Sequence, residues 1–129
     1  MEELVRAVLS HYSEYSAEAE LYERWLSNRD NPEIREALAV LQMKLSAIQS
    51  WFSLLNADER FVIEKHLIEE LEWPRVAFEF SERWKNMFIR SERSLGKFQA
   101  SALKKIALFC DMHNEITLSL FGDLIEEKR

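Results

Sequence analysis

The chain has little with which to turn. Its 129 residues include two glycines and two prolines. Strands joined by hairpins need many more such residues, so the scarcity favours long helices with short connections. A single cysteine, Cys110, excludes an internal disulfide and suits a reducing compartment. No apolar run approaches the ~18 residues of a membrane span. The N-terminus lacks the basic start and apolar block of a secretory signal, so the expected location is the cytoplasm. Also missing are a Gly-rich phosphate loop, a nucleophile elbow and a zinc-hydrolase motif. His11, His66 and His113 show no ligand spacing, and Cys110 with His113 finds no further ligands. No enzyme, cofactor or metal is expected.

What remains is apolar enough to fold. Hydrophobic residues make up 47 % of the chain, well above the range of disordered sequences. Their spacing is helical throughout, which predicts an all-α fold. A first helix is expected over Glu2–Ser27, with Leu4, Val8, Tyr12, Tyr15, Leu21, Tyr22, Trp25 and Leu26 on one stripe. Asn31-Pro32-Glu33 restarts the chain with an N-cap, a first-turn proline and an acid near the positive helix end. The second helix, Pro32–Leu55, carries Ile34, Leu38, Leu41, Leu45, Ile48, Phe52 and Leu55 at alternating spacings of four and three. That heptad seam suits either the first helix of the same chain or the same helix of a second copy, a homodimer. By helical phase Trp25, Trp51, Trp73 and Trp84 are mostly core, although Trp51 lies beside the seam and could serve an interface. Asn56 followed by Glu59 approximates a capping box and opens a third helix, Ala57–Glu72. A short helix Pro74–Phe80, a turn at Ser81-Glu82, a helix Arg83–Phe98 and a last helix Ala100–Glu127, with a break near His113-Asn114, complete the expectation. The predicted organisation is an N-terminal helical hairpin (1–55), a helix-turn-helix (56–99) and a C-terminal helix (100–129).

Charge is unevenly placed along this frame. The whole chain is −6, yet residues 73–105 hold eight basic side chains against three acidic ones. A polyanion responds to the local field rather than the average. On a helical wheel of residues 83–98, Trp84, Met87, Phe88, Ser91, Leu95 and Phe98 gather on one side. Lys85, Asn86, Ile89, Arg90, Arg93 and Lys97 gather on the other, which presents the cations and amide that bind phosphates and base edges. A short helix, a tight turn and a longer helix form a helix-turn-helix, whose second helix can enter the ~12 Å major groove. Asn86 and Arg90, with Lys85 beside them, are the expected base contacts; Arg75, Arg93 and Lys97 are the expected phosphate contacts.

Residues 55–63 (Leu-Asn-Ala-Asp-Glu-Arg-Phe-Val-Ile) resemble the opening of region 4 in bacterial sigma factors. Residues 73–80 resemble that region's helix with the Glu-Ile-Ala pattern, and Ser94-Leu95-Gly96-Lys97-Phe98 stands where its Ala-Leu-x-Lys-Leu falls. With a helical segment ahead of it, the chain resembles phage late-gene regulators of the ArpU and RinA type. The resemblance implies a phage or prophage transcription regulator that binds double-stranded promoter DNA and touches RNA polymerase. It departs from the pattern at Ser81, where the family carries the turn glycine, at Arg83, where it carries a capping Ser or Thr, and at Glu82, Phe88 and Ile89. Two alternatives stand beside it. One is a small terminase subunit that binds packaging DNA. The other is an acidic adaptor or inhibitor that binds the transcription machinery without DNA. Glu14, Glu18, Glu20 and Glu23 then read either as a solvated helix face or as a surface for a basic protein.

Overall fold

A computed structural model of the chain describes residues 1–84 and 91–127. Every regular element among them is helical. The elements are α1 (Glu2–Ser10), α2 (Tyr12–Asn28), α3 (Pro32–Phe52), α4 (Ala57–Val62) running into a π-helical segment (Ile63–Ile68), α5 (Trp73–Arg83), α6 (Glu92–Met112), α7 (Asn114–Phe121) and α8 (Asp123–Glu127).

The single first helix expected over Glu2–Ser27 is two helices, divided at His11, whose backbone (φ −94°, ψ −1°) stays right-handed but is shifted from regular helix values. The His11 ring N–H donates to the carbonyl of Ala7 at 2.7 Å, and the ring stacks on Tyr15. The division follows from the partners. Leu4, Val5, Val8 and Leu9 of α1 are buried on α6, the π segment and α8, whereas α2 lies along α3. One straight rod could not reach both.

The α2–α3 pair is the most extensive helix contact among the described residues. It is seamed by Tyr15, Ala19, Tyr22 and Leu26 against Leu38, Leu41, Leu45 and Ile48. The heptad seam of α3 is thus filled from within the chain. Asn31 caps α3 as expected, its side-chain oxygen accepting from the backbone N–H of Glu33 (3.0 Å) and Ile34 (3.3 Å).

The third helix departs from the expected Ala57–Glu72. After six α-helical residues it loosens into the π segment, with the Glu69 N–H donating to the Glu64 carbonyl at 2.9 Å. It stops at Glu70, a non-glycine residue in the left-handed region (φ 59°). The turn expected at Ser81-Glu82 is instead helix: α5 continues to Arg83, and the Ser81 hydroxyl donates back to the Phe78 carbonyl at 2.9 Å. The break expected at His113 is present (φ −124°, ψ 43°).

Two apolar clusters hold these helices. The larger joins α1, α2, α3, the π segment, α6, α7 and α8 around Val5, Leu9, Ile48, Trp51, Leu103, Ile106 and Phe121. The smaller joins α4, α5 and the start of α6 through Phe61, Val62, Val76, Phe80 and Leu95, with Trp73, Trp84 and Phe98 packed against it. Trp51 is core, seated on Phe121, and Trp25 is exposed.

Candidate nucleic-acid interface

The helix expected over Arg83–Phe98 is not one helix. α5 ends at Arg83, Trp84 takes a non-helical backbone (φ −116°, ψ 58°), and Ser91 (φ −73°, ψ 158°) caps the start of α6. The Ser91 hydroxyl oxygen accepts from the Ser94 backbone N–H at 3.1 Å, and Glu92 lies in the first turn. The wheel missed this because a cap that preserves the apolar phase leaves no mark on periodicity. The signal was present in the short run Ser91-Glu92, a capping residue followed by a first-turn acid.

The cations are therefore redistributed. Lys85, Asn86 and Arg90 lie outside the described residues. Arg75 is exposed on α5, 3.9 Å from Glu79, with its guanidinium 5.4 Å from the centre of the Phe78 ring. Arg83 sits over the rings of Phe61 (5.5 Å) and Trp84 (5.1 Å). Arg93 and Lys97 are exposed on the first two turns of α6.

α6 is longer than the sequence pattern suggests. It runs unbroken through position 99, where a segment boundary was expected, to Met112. Its continuity adds a residue that the sequence reading assigned to a different helix. Arg93, Lys97 and Lys104 are spaced four and seven apart, which at about 100° per residue places them within about 40° of arc. Along the axis they span ~16 Å. All three are exposed, and among the described residues none is in an ion pair. The opposite side of α6 is buried through Leu95, Gln99, Ala102, Leu103, Ile106 and Cys110, so the basic face is fixed in orientation.

Lys105, the fourth cation of α6, is used differently. Its ammonium donates to the Glu59 carboxylate at 2.8 Å. Glu59 is only 2 % exposed. It also accepts from the Ser101 hydroxyl at 2.7 Å and from the Asn56 backbone N–H at 2.9 Å. Asn56 returns the bond by accepting from the Glu59 N–H at 2.9 Å, completing the capping box. Burial raises the Glu59 pKa, but the bonds from Lys105, Asn56 and Ser101 outweigh it and hold the carboxyl below its ordinary value. A second tie anchors the π segment: His66 stacks on Trp73 (3.8 Å between ring centres) and its ring N–H donates to the buried Gln99 side chain. Together these contacts clamp α4, the π segment and α5 onto α6 while leaving Arg93, Lys97 and Lys104 facing outward.

Among the described residues no group of three or more His, Cys, Asp or Glu side chains could hold a metal ion, and no helix is long and apolar enough to cross a membrane. No protein-family model matches the chain, and neither curated proteins nor solved structures yield a significant match.

Proposed function

We propose that the chain binds double-stranded DNA through the outward face of α6 and acts in transcriptional control, in a phage or prophage setting. The observation that carries the proposal is the alignment of Arg93, Lys97 and Lys104 on one exposed, rigidly backed helix face. Residues 91–105 hold four cations against one carboxylate, and one of the four is already committed to Glu59. The remaining three match the phosphate backbone, which offers one charge per ~1.7 Å of duplex axis. The sigma-like pattern of residues 55–80 supplies the transcriptional setting and the contact with RNA polymerase. Base reading stays with Asn86 and Arg90 on the sequence pattern alone.

The test is the salt dependence of DNA binding, followed by fluorescence anisotropy. Each phosphate contact adds about −0.9 to the slope of log K against log salt. Arg93→Ala, Lys97→Ala and Lys104→Ala should each flatten that slope by about 0.9 while leaving the circular dichroism spectrum unchanged. Slopes unaltered in all three variants would exclude this face as the DNA surface.

A further inference from the structure

Charge changes sign along α6. Residues 93–105 carry four cations and no carboxylate, whereas residues 106–127 carry five carboxylates and no lysine or arginine. The change falls on the exposed side of the helix. At about 100° per residue, Arg93, Lys97, Lys104, Leu108, Asp111 and Met112 share one arc of about 100°. All six are exposed. Lys104 and Asp111 are in no ion pair among the described residues. Lys105, at the edge of the arc, is already bound to Glu59. The helices that flank α6 do not alter this polarity. α5 balances Arg75 and Arg83 against Glu79 and Glu82, α4 balances Arg60 against Asp58 once Lys105 has met Glu59, and α1 is within one charge of neutral.

Where the sign changes, the face is apolar. Met112 (73 %) and Leu108 (64 %) are the most exposed large hydrophobic side chains among the described residues. They cannot turn inward, because Ile106, Ala107 and Cys110 hold the opposite side of α6 in the core. A partner of one charge would suit half of this face and be repelled by the other half. A second copy turned end for end suits both. About a two-fold axis at Leu108, that leucine meets its own equivalent. Lys104 then comes within one residue, ~1.5 Å along the helix, of level with Asp111 of the second copy, and its stem covers Met112 there. A parallel pairing would instead set lysine on lysine and aspartate on aspartate.

We infer that α6 pairs antiparallel with α6 of a second copy through Leu108, Met112 and reciprocal Lys104–Asp111 contacts, and that this pairing competes with DNA. Lys104 serves in both. Helix axes packed about 8–10 Å apart leave no room for a duplex at that point of the face. The free chain therefore covers part of its own basic face at high concentration and exposes it on dilution. The competition rests on the reading of α6 as the DNA surface; the pairing does not.

Sedimentation equilibrium of the full chain, without DNA, should show a reversible monomer–dimer equilibrium. Leu108→Ala with Met112→Ala should weaken it about tenfold or more. Lys104→Asp alone and Asp111→Lys alone each place like charges together and should weaken it about tenfold at low salt. The double variant Lys104→Asp with Asp111→Lys should restore it, since an antiparallel pair regains both contacts while a parallel pair gains none. All four positions are exposed, so the variants keep the fold. Under mild oxidation Leu108→Cys should cross-link to its own equivalent, and added duplex DNA should suppress that cross-link. A chain that stays monomeric, or a dimer indifferent to the Leu108 and Met112 substitutions, would overturn the pairing. A dimer weakened by both single charge changes and not restored by their combination would overturn the antiparallel arrangement. Cross-linking undiminished on DNA that the chain demonstrably binds would overturn the competition. A Leu108→Ala, Met112→Ala chain that is monomeric yet binds no DNA at low salt would overturn the DNA reading and leave the pairing standing.

Discussion

Replacing Glu59 by alanine removes one side chain and three separate stabilising contacts. The bond from the Asn56 backbone N–H to the carboxylate, the half of the capping box that depends on the Glu59 side chain, is worth about 1 kcal/mol, while the Asn56 side-chain cap survives the substitution. The Ser101 hydroxyl bond to a buried carboxylate contributes about 1 to 1.5 kcal/mol. The Lys105 pair adds less than about 1 kcal/mol, because the lysine side chain is 46 % exposed and rehydrates when its partner is lost. The expected loss is about 3 kcal/mol, a large share of a typical domain's 5–15 kcal/mol. Urea unfolding followed by circular dichroism measures it. The same carboxyl gives a pH signature. Its folded pKa lies below the ordinary value of 4.5, so its contribution is complete above the unfolded glutamate range and disappears as pH falls through the folded value. Glu59→Gln should therefore be less stable than the parent at pH 7, and its stability should fall less steeply below about pH 4.5. A Glu59→Ala loss under about 0.5 kcal/mol, the size typical of a surface site, would refute the view of Glu59 as the tie between α4 and α6.

Three further outcomes test the backbone and the core. Glu70 occupies the left-handed region (φ 59°), so Glu70→Gly should raise the unfolding free energy by about 0.5–1 kcal/mol after the glycine's greater unfolded-state entropy is counted, seen as a higher urea midpoint. A Cβ at Gly122 would stand 2.4 Å from the Leu118 carbonyl oxygen; Gly122→Ala should lower thermal stability by about 1–3 kcal/mol, the scale of overpacking. Burial pushes the Cys110 thiol up to about 11, only partly countered by a hydrogen bond with Thr117. Its alkylation at pH 8 should therefore track unfolding across a urea series, and labelling of the native protein at the rate of a free cysteine would contradict that burial.

The parts legible in the sequence are those where one signal has one meaning. Asn31-Pro32 and Asn56 with Glu59 cap helices because their side chains satisfy amide groups wherever the rest of the fold lies. The α3 seam announced a partner helix, although its spacing could not say that α2 would fill it. The parts that stayed hidden depend on tertiary partners. The division at His11 keeps the apolar phase nearly continuous and exists because α1 and α2 pack on different helices. The π segment, bounded by Glu70, has no compositional mark. In the candidate interface, Arg93 and Lys97 were found from charge and phase. Lys104 was not, because the expected helices ended at Phe98 and restarted at Ala100, which put it on a different rod. With nothing beyond its own stretch of helix within 4 Å of where its Cβ would be, Gly96 simply rides inside α6.

α6 belongs to both apolar clusters: Leu95 near its start lies in the smaller, and Ala102, Leu103 and Ile106 further along lie in the larger. A rod anchored in two cores makes them a single melting unit, since loosening the α4–α5 cluster strips packing from the first turns of the helix that the larger core needs. Amide exchange along α6 should then show one opening free energy from Leu95 to Ile106 instead of two steps. The basic face of Arg93, Lys97 and Lys104 would keep its spacing until the whole protein unfolds.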